Sequence, residues 1–160
     1  MSRDEGMLVR KIKNGTVIDH IPAGRALLVL RILGLTGSEG YRIAVVMNVD
    51  SRKLNRKDIV KIEEKYMEPG EVDKIALIAP TATINIVKDY RIAEKRKVQA
   101  PRELQGILKC TNPTCITRKP REPVTPRFVR VEGRGLRYQC VYCGTIIEED
   151  EIIGQLAGGR

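Results

Sequence analysis

A chain of 160 residues has room for one or two domains, and 42% hydrophobic with 31% charged residues is ordinary for a soluble globular protein. No apolar run approaches the length of a membrane span, and one Phe, five Tyr and no Trp argue against an aromatic stacking platform for single-stranded nucleic acid. The formal charge of +9 is spread along the chain, so it fits a mildly basic surface and a polyphosphate or nucleic-acid site equally well.

Residues 1–97 read as one α/β unit. Leu8–Lys13 alternates as a strand, Asn14-Gly15 marks a turn, and Thr16–Ile21 is a second strand ended by Pro22. Apolar residues at 23, 26, 27, 30 and 33 have helical spacing, and Gly34 supplies the stop. Leu28, Val29 and Ile32 make this helix more apolar than one buried face requires, which leaves a thick core contact or a subunit contact as readings. Tyr41–Val49 is apolar on both faces and is expected to be a central strand. A turn-rich stretch, Asp50–Asn55, precedes a strand over Asp58–Glu64.

Pro69 opens a second helix carrying Val72, Ile75, Ala76 and Ala79 on one face, and Pro80 closes it. Ala82–Val87 is a strand and Tyr90–Ala93 can pair beside it. From residue 16 the order is β-α-β-β-α-β. That is the ferredoxin-like arrangement, an antiparallel sheet with both helices on one face, with strand order 4-1-3-2. Val60, Ile62, Ile84 and Ile86 suit the helix side. The other face then carries Ile59, Lys61, Glu63, Thr83, Asn85 and Val87, half polar, as expected of a surface that meets a ligand or another chain.

Glu94–Arg102 is charged and aperiodic and reads as linker sequence, with Pro101 near its end, and the linker between the two domains is placed at 98–102. Residues 103–160 form a second, small all-β domain. It has short strands at Phe128–Val131, Leu136–Cys140 and Thr145–Ile147, a basic proline-rich arm at Thr117–Arg127, and a fraying end from Gly154. The whole is thus α+β.

This second domain holds every cysteine in the chain: Cys110 and Cys115 four residues apart, then 24 residues, then Cys140 and Cys143 two apart. Two pairs, each closing a tight loop, are the spacing of a tetrahedral four-thiolate zinc site of zinc-ribbon type. Iron shares this donor set, and disulfides compete in oxidising compartments. The polar start M-S-R-D-E-G has no apolar segment of a secretory signal, so a cytoplasmic, reduced setting and metal binding are expected. Four thiolates leave no vacancy for water, and the single histidine, His20, lies far away in sequence, so the metal is structural. About fifty residues bury little apolar surface, and metal binding then supplies folding free energy.

In the first domain, Asp19-His20-Ile21-Pro22 lies where a strand gives way to a helix, a place where free backbone N–H groups favour anions. His20 can donate to a phosphate and Asp19 can accept from a ribose hydroxyl; a turn Asp and a half-buried His are the bland alternatives. Lys61 sits between Val60 and Ile62, and Lys95-Arg96-Lys97 follows Tyr90-Arg91-Ile92. Each is also compatible with a solvated surface.

The strings K13-N-G-T-V-I-D-H-I-P22, R56-K-D-I-V-K-I-E63, I78-A-P-T-A-T-I-N85, C110-T-N-P-T-C115 and C140-V-Y-C143 together resemble the regulatory chain of aspartate carbamoyltransferase, in order and over nearly the whole length. The resemblance implies a non-catalytic subunit of that enzyme of de novo pyrimidine biosynthesis. Its N-terminal allosteric domain would bind ATP, CTP or UTP, and its C-terminal domain, with one structural zinc, would dock onto catalytic chains. It also implies an assembly of two catalytic trimers joined by three regulatory dimers. Carried over position by position, Asp19 meets the ribose, His20 and Lys95 the phosphates, and Lys61 lies between the two. Ile12, Asn85, Tyr90 and Ile92 form the base pocket, with Val9 beside them. Cys110, Cys115, Cys140 and Cys143 hold the metal. Arg10 stands where bacterial members have an acidic residue, which bears on which nucleotide inhibits and which activates. The competing reading is a nucleic-acid-binding zinc-ribbon protein, favoured by the positive charge and the basic arm and opposed by the scarcity of aromatics. An enzyme is disfavoured: the chain has no nucleophile–histidine arrangement, paired-carboxylate motif or open metal site.

Overall fold

A computed structural model describes residues 11–121 and 123–158. The chain divides between Gln99 and Ala100 into two compact units. The first is built from β1 (Gly15–Pro22), α1 (Ala26–Ile32), β2 (Ile43–Ser51), β3 (Asn55–Glu63), α2 (Pro69–Ile78), β4 (Thr83–Lys88) and β5 (Arg91–Lys97). Its antiparallel sheet runs β2-β3-β1-β4-β5, which is the expected 4-1-3-2 order with β5 added outside β4. The helices touch one another and cover one face. Ile18, Val60, Ile62, Ile75, Leu77, Ile78 and Val29 are fully buried between the layers.

β1 lies central, bonded to β3 and β4. Its start needs glycine: Gly15 has φ +141, and a Cβ there would lie 2.1 Å from the Ile62 carbonyl oxygen. Lys11–Lys13 form no strand, so a hairpin turned at Asn14-Gly15 is not what precedes β1; residues 8–10 of that expected strand lie outside the described residues. Instead Asn14 O accepts from the Glu64 amide and Lys13 O from the Tyr90 amide.

Several boundaries move for identifiable reasons. α1 starts at Ala26 rather than 23, because Gly24 takes φ +92 in the turn leading into it. β2 is an edge strand, not a central one; its Val45, Val46 and Met47 are half-buried, so two apolar faces here mean a surface strand with an apolar skin. The turn-rich stretch contracts to residues 52–54 between β2 and β3. β5 runs to Lys97, so Glu94–Lys97 belong to the sheet rather than the linker; every residue of this edge strand is exposed, which suits its charged composition.

Three one-residue bulges shape the sheet. Asp19 and His20 of β1 oppose one residue of β3, and Met47 and Asn48 of β2 oppose Asp58. β5 carries one extra residue between its pairings of Ile92 with Val87 and Glu94 with Ile86. His20 and Asn48 take φ 56 and φ 59 there, in the left-handed region. Asp58, fully buried, ties two of these features to the helix layer. Its Oδ1 accepts from the Asn48 amide at 2.9 Å, and its Oδ2 accepts from the Gly24 and Ala26 amides at 2.8 and 2.9 Å.

The second unit contains β6 (Glu103–Gln105), a 3₁₀ turn (Ile116–Arg118), β7 (Arg127–Arg130), β8 (Arg137–Cys140), β9 (Ile146–Glu148) and α3 (Glu149–Ala157). Its four strands form an antiparallel sheet in sequence order. Phe128, Tyr138, Leu104, Leu108, Ile147 and Ile152 fill a small core, and Tyr138 Oη donates to the Pro101 carbonyl at 2.6 Å. The expected fray from Gly154 is instead the body of α3. A capping box between Glu148 and Glu151 starts it, Ile152 is buried under it, and the Gln155 amide group bonds both the N–H and the C=O of Lys109 at 2.8 Å. The proline-rich stretch after the 3₁₀ turn has no helix or strand over 119–121 and 123–126.

Replacing Asp58 with Ala leaves three backbone amides without their acceptor. The expected loss is about 3 kcal/mol of unfolding free energy, with a smaller loss for Asp58→Asn, measured by denaturant unfolding of the full chain.

Candidate functional site

The face of the first sheet opposite the helices carries two adjoining grooves. Strand register builds them: Val17 stands opposite both Lys61 and Asn85, so these three point the same way from the middle of the sheet. The first groove, about 360 Å3, is lined by Ile12, Val17, Ile59, Val87 and Ile92 as an apolar wall, with Lys11, Asp19, Lys61, Asn85 and Tyr90. Asn85 is 8% exposed and its buried Oδ1 has no hydrogen-bond partner. A buried acceptor left unmade is costly, so this oxygen is suited to a donor supplied from outside. Burial lowers the Lys61 pKa, Lys11 adds to that effect and Asp19 opposes it. An anion against this ammonium would offset its lost solvation.

The second groove, about 500 Å3, is lined by His20, Lys53, Thr81, Thr83, Lys95 and Lys97, with Leu54 and Pro80. No Asp or Glu lines it among the described residues. Lys95 and Lys97 share a face of β5 because they pair with Asn85 and Thr83 of β4. The imidazole is held from behind: Thr83 Oγ1 lies 3.4 Å from its Nδ1, and Thr81 Oγ1 donates to the His20 carbonyl at 2.7 Å. Burial lowers the His20 pKa; Asp19 acts against that, and Lys57, Lys53 and Lys95 act with it.

The bulge in β1 explains how consecutive residues serve adjacent grooves. Ile18 and Ile21 both point into the core, so the two residues between them lie on the groove side. Asp19 joins the first groove and His20 the second. The Asp19–His20 pair therefore lies inside a strand rather than at a strand-to-helix handover. The amides of Gly24 and Ala26 at the head of α1 are occupied by Asp58. Asp19 Oδ1 accepts from Lys57 Nζ at 2.9 Å and from the His20 amide at 2.6 Å.

Of the residues singled out from sequence, Ile12, Asp19, Lys61, Asn85, Tyr90 and Ile92 thus line one groove and His20 and Lys95 the other. Val9 and Arg10 lie outside the described residues. Lys11, Lys53 and Lys57 were missed, and Lys97 was noted only as part of the Lys95-Arg96-Lys97 run. Lys57 and Lys97 had a signal, standing on the same strand faces as Lys61 and Lys95 at even spacing; Lys53, in a turn, had none.

In the second unit the four cysteine sulfurs all lie within 4.8 Å of one another. Cys110 and Cys143 are 3.5 Å apart and Cys115 and Cys140 3.8 Å. Tetrahedral coordination at a metal–sulfur distance of about 2.3 Å needs sulfurs about 3.8 Å apart, so the set fits one ion. Cys110, Cys115 and Cys140 are buried and Cys143 is exposed. Burial pushes the Cys110 thiol up to about 12 and raises Cys140. A hydrogen bond with the Thr145 side chain draws Cys143 down to about 6. Buried thiols of this kind become thiolates when a cation supplies the missing charge. Around them, Arg118 Nη1 donates to the Cys110 carbonyl at 2.8 Å, and Thr117 Oγ1 lies 3.2 Å from Cys115 Sγ.

Residues 7–99 match the family description "Aspartate carbamoyltransferase regulatory chain, allosteric domain", and residues 102–153 match the same regulatory chain's "metal binding domain". The chain belongs to the aspartate carbamoyltransferase regulatory chain family. The regulatory chain of Hyperthermus butylicus is 64% identical over 159 residues, covering 99% of both chains. That of Thermofilum pendens is 64% identical over 96% of both, and that of Staphylothermus marinus is 57% identical over 91% of this chain and 89% of its own. These relatives are regulatory rather than catalytic chains, so this is a non-catalytic subunit with catalytic chains as partners. The two grooves fall in the allosteric domain and the four cysteines in the metal-binding domain. No helix among the described residues is long and apolar enough to cross a membrane.

Metal removal is expected to melt the second unit selectively. Chelation should release amide-exchange protection at Phe128, Tyr138 and Ile147 while β1 and β3 keep theirs; protection unchanged throughout would show that the sheet stands without the ion.

Proposed function

We propose that this regulatory chain binds ATP, CTP or UTP across the uncovered sheet face and transmits the occupancy to catalytic trimers through a zinc-stapled C-terminal domain. One observation carries the reading. An apolar groove containing the orphaned Asn85 Oδ1 adjoins a groove with three lysines and a histidine and no described carboxylate. A base that offers an N–H donor, the exocyclic amine of adenine or cytosine or the ring N3–H of uracil, suits the first, and a triphosphate suits the second. Ile12, Asn85, Tyr90 and Ile92 hold the base. Asp19 meets the ribose, Lys61 bridges ribose and phosphate, and His20 and Lys95 take phosphates.

Zinc is the ion that suits four thiolates in a closed tetrahedral set. It acts as a structural staple, and the metal domain docks on the catalytic chain. Three regulatory dimers joining two catalytic trimers in the cytoplasm is the assembly in which this chain works. The half-buried apolar edge of β2 and the 63% exposed Leu27 on α1 give the regulatory pair a surface to share.

A nucleotide shifts a two-state assembly only by its difference in affinity for the two states, and coupling of about 1–3 kcal/mol is the usual scale. The lysines contribute affinity common to all triphosphates. Discrimination between bases falls to the apolar groove.

Calorimetry with ATP and CTP tests this division: Lys61→Ala should weaken both by about tenfold, or about 1.4 kcal/mol. Changes at Ile12 or Ile92 should alter the ATP/CTP ratio instead; equal wild-type affinities in the Lys61 variant would remove the lysine from the site. The pH dependence has a definite sign. His20 is held below its ordinary pKa in the free chain, and a bound phosphate favours the imidazolium. Binding therefore takes up a proton, and affinity rises as pH falls from ~8 to ~6. Titrations in two buffers of different ionisation enthalpy would read that proton directly. Cys110→Ser should abolish co-purification with catalytic trimers yet spare nucleotide binding.

A further inference from the structure

We infer that Lys53, on the tight turn between β2 and β3, is a specificity-determining residue that contacts the terminal phosphate and makes the site select triphosphates over shorter phosphate chains. The inference rests on the nucleotide reading above and adds to it a residue and a selectivity. Strand register orders the sheet face from one end to the other. Lys61 and Asn85 lie level with Val17 in mid-sheet. Two residues along β4, about 7 Å, Thr83 pairs with Asp19 and with Lys97. β3 continues past its pairings of Asp58 with Ile21 and Lys57 with Pro22 to Asn55, and the turn carrying Lys53 lies beyond it. The turn is thus at the end of the face farthest from the base groove.

Lys53 nevertheless lines the same groove as His20, Lys95 and Lys97. Cations drawn from β5 and from the β2–β3 turn, with the β1 imidazole, converge on one cavity whose described lining includes no carboxylate. A ligand laid with its base at Asn85 and its ribose at Asp19 passes Lys95 and His20 first. Only a phosphate chain long enough to reach the distal end meets Lys53. A monophosphate stops short of it, so Lys53 adds nothing to monophosphate affinity. The closeness of these groups is also felt at His20, where after burial and the opposing effect of Asp19 both Lys53 and Lys95 disfavour the imidazolium.

The test uses the full metal-loaded chain and three probes: CTP, CMP and inorganic tripolyphosphate. Lys53→Gln, on an exposed turn, should lose about five- to tenfold in affinity for CTP and for tripolyphosphate, with CMP affinity unchanged, and Lys53→Arg should restore most of the loss. Wild-type affinity of Lys53→Gln for CTP and tripolyphosphate, or an equal loss for CMP and CTP, would overturn the assignment. A wild-type chain that takes tripolyphosphate in a Lys53-dependent way but neither nucleotide would overturn the nucleotide reading and leave the anion contact standing. A chain that binds none of the three would end both.

Discussion

The buried carboxylate of Asp58 is the contact on which the first unit's functional face depends. A fully buried charge needs several donors to be tolerable, and three backbone amides from two different elements supply them. In return the head of α1 and the bulge in β2 are fixed to one point of β3. The neighbouring bulge in β1 lies one residue away on the same strand. By inserting one residue it lets Ile18 and Ile21 both reach the core while Asp19 and His20 both stay on the outer face. Regular alternation would have sent His20 toward the helices or Ile21 toward the grooves. Asp19 and His20 serve adjacent grooves from consecutive positions because the strand is irregular there.

The same device recurs on the outer strand. Ile92 and Lys95 are three apart, so in an unbroken strand they would face opposite sides. The extra residue in β5 brings both to the groove face, opposite Val87 and Asn85. Bulges thus convert a two-residue period into clusters of mixed chemistry, apolar beside charged, which a strictly alternating sheet face does not offer.

These irregularities mark what the sequence could and could not reveal. Helix and strand order, the 4-1-3-2 topology and the outward face of Lys61 and Asn85 follow from periodicity, because the core strands alternate cleanly. The cysteine cluster follows from spacing alone. The edge position of β2 did not: an apolar skin at a protein surface and an apolar core strand have the same composition. The second half of β5, Glu94–Lys97, was hidden for the opposite reason, since an edge strand exposed at every residue has the composition of a linker. α3 was missed because Ile152 is the one residue that it fully buries among the described residues, with a side-chain bond pair from Gln155 beside it, while Gly154 argued for an end. Asp58 stood in the sequence only as the first residue of a strand; the fold shows three amides converging on it. Grouping His20 with Lys95 and Asp19 with Ile92 came from family resemblance, since bulges erase the periodicity by which such neighbours would be found.

The two units meet different physical demands, and this bears on how occupancy could be passed on. The first has a two-layer core and positions its grooves by backbone hydrogen bonds. The second is small, and its cysteines close a site where burial, and after it the neighbouring sulfurs, raise the pKa of Cys110 and Cys140; a cation there supplies order that apolar area cannot. The covalent route between them leaves from β5, the strand carrying Ile92, Lys95 and Lys97. Its continuation, Val98, is buried and donates its amide to Ala82 at 3.1 Å. A ligand bound as proposed at Lys95 and Lys97 would therefore load the last strand before the second unit. Such loading matters only if the strand's position differs between two states of the assembly, because uniform binding shifts no equilibrium. An edge strand exposed along its whole length, with one neighbour and a bulge, is the part of this sheet held by the fewest interactions. That makes β5 the element whose position a triphosphate, bound as proposed, would most readily bias.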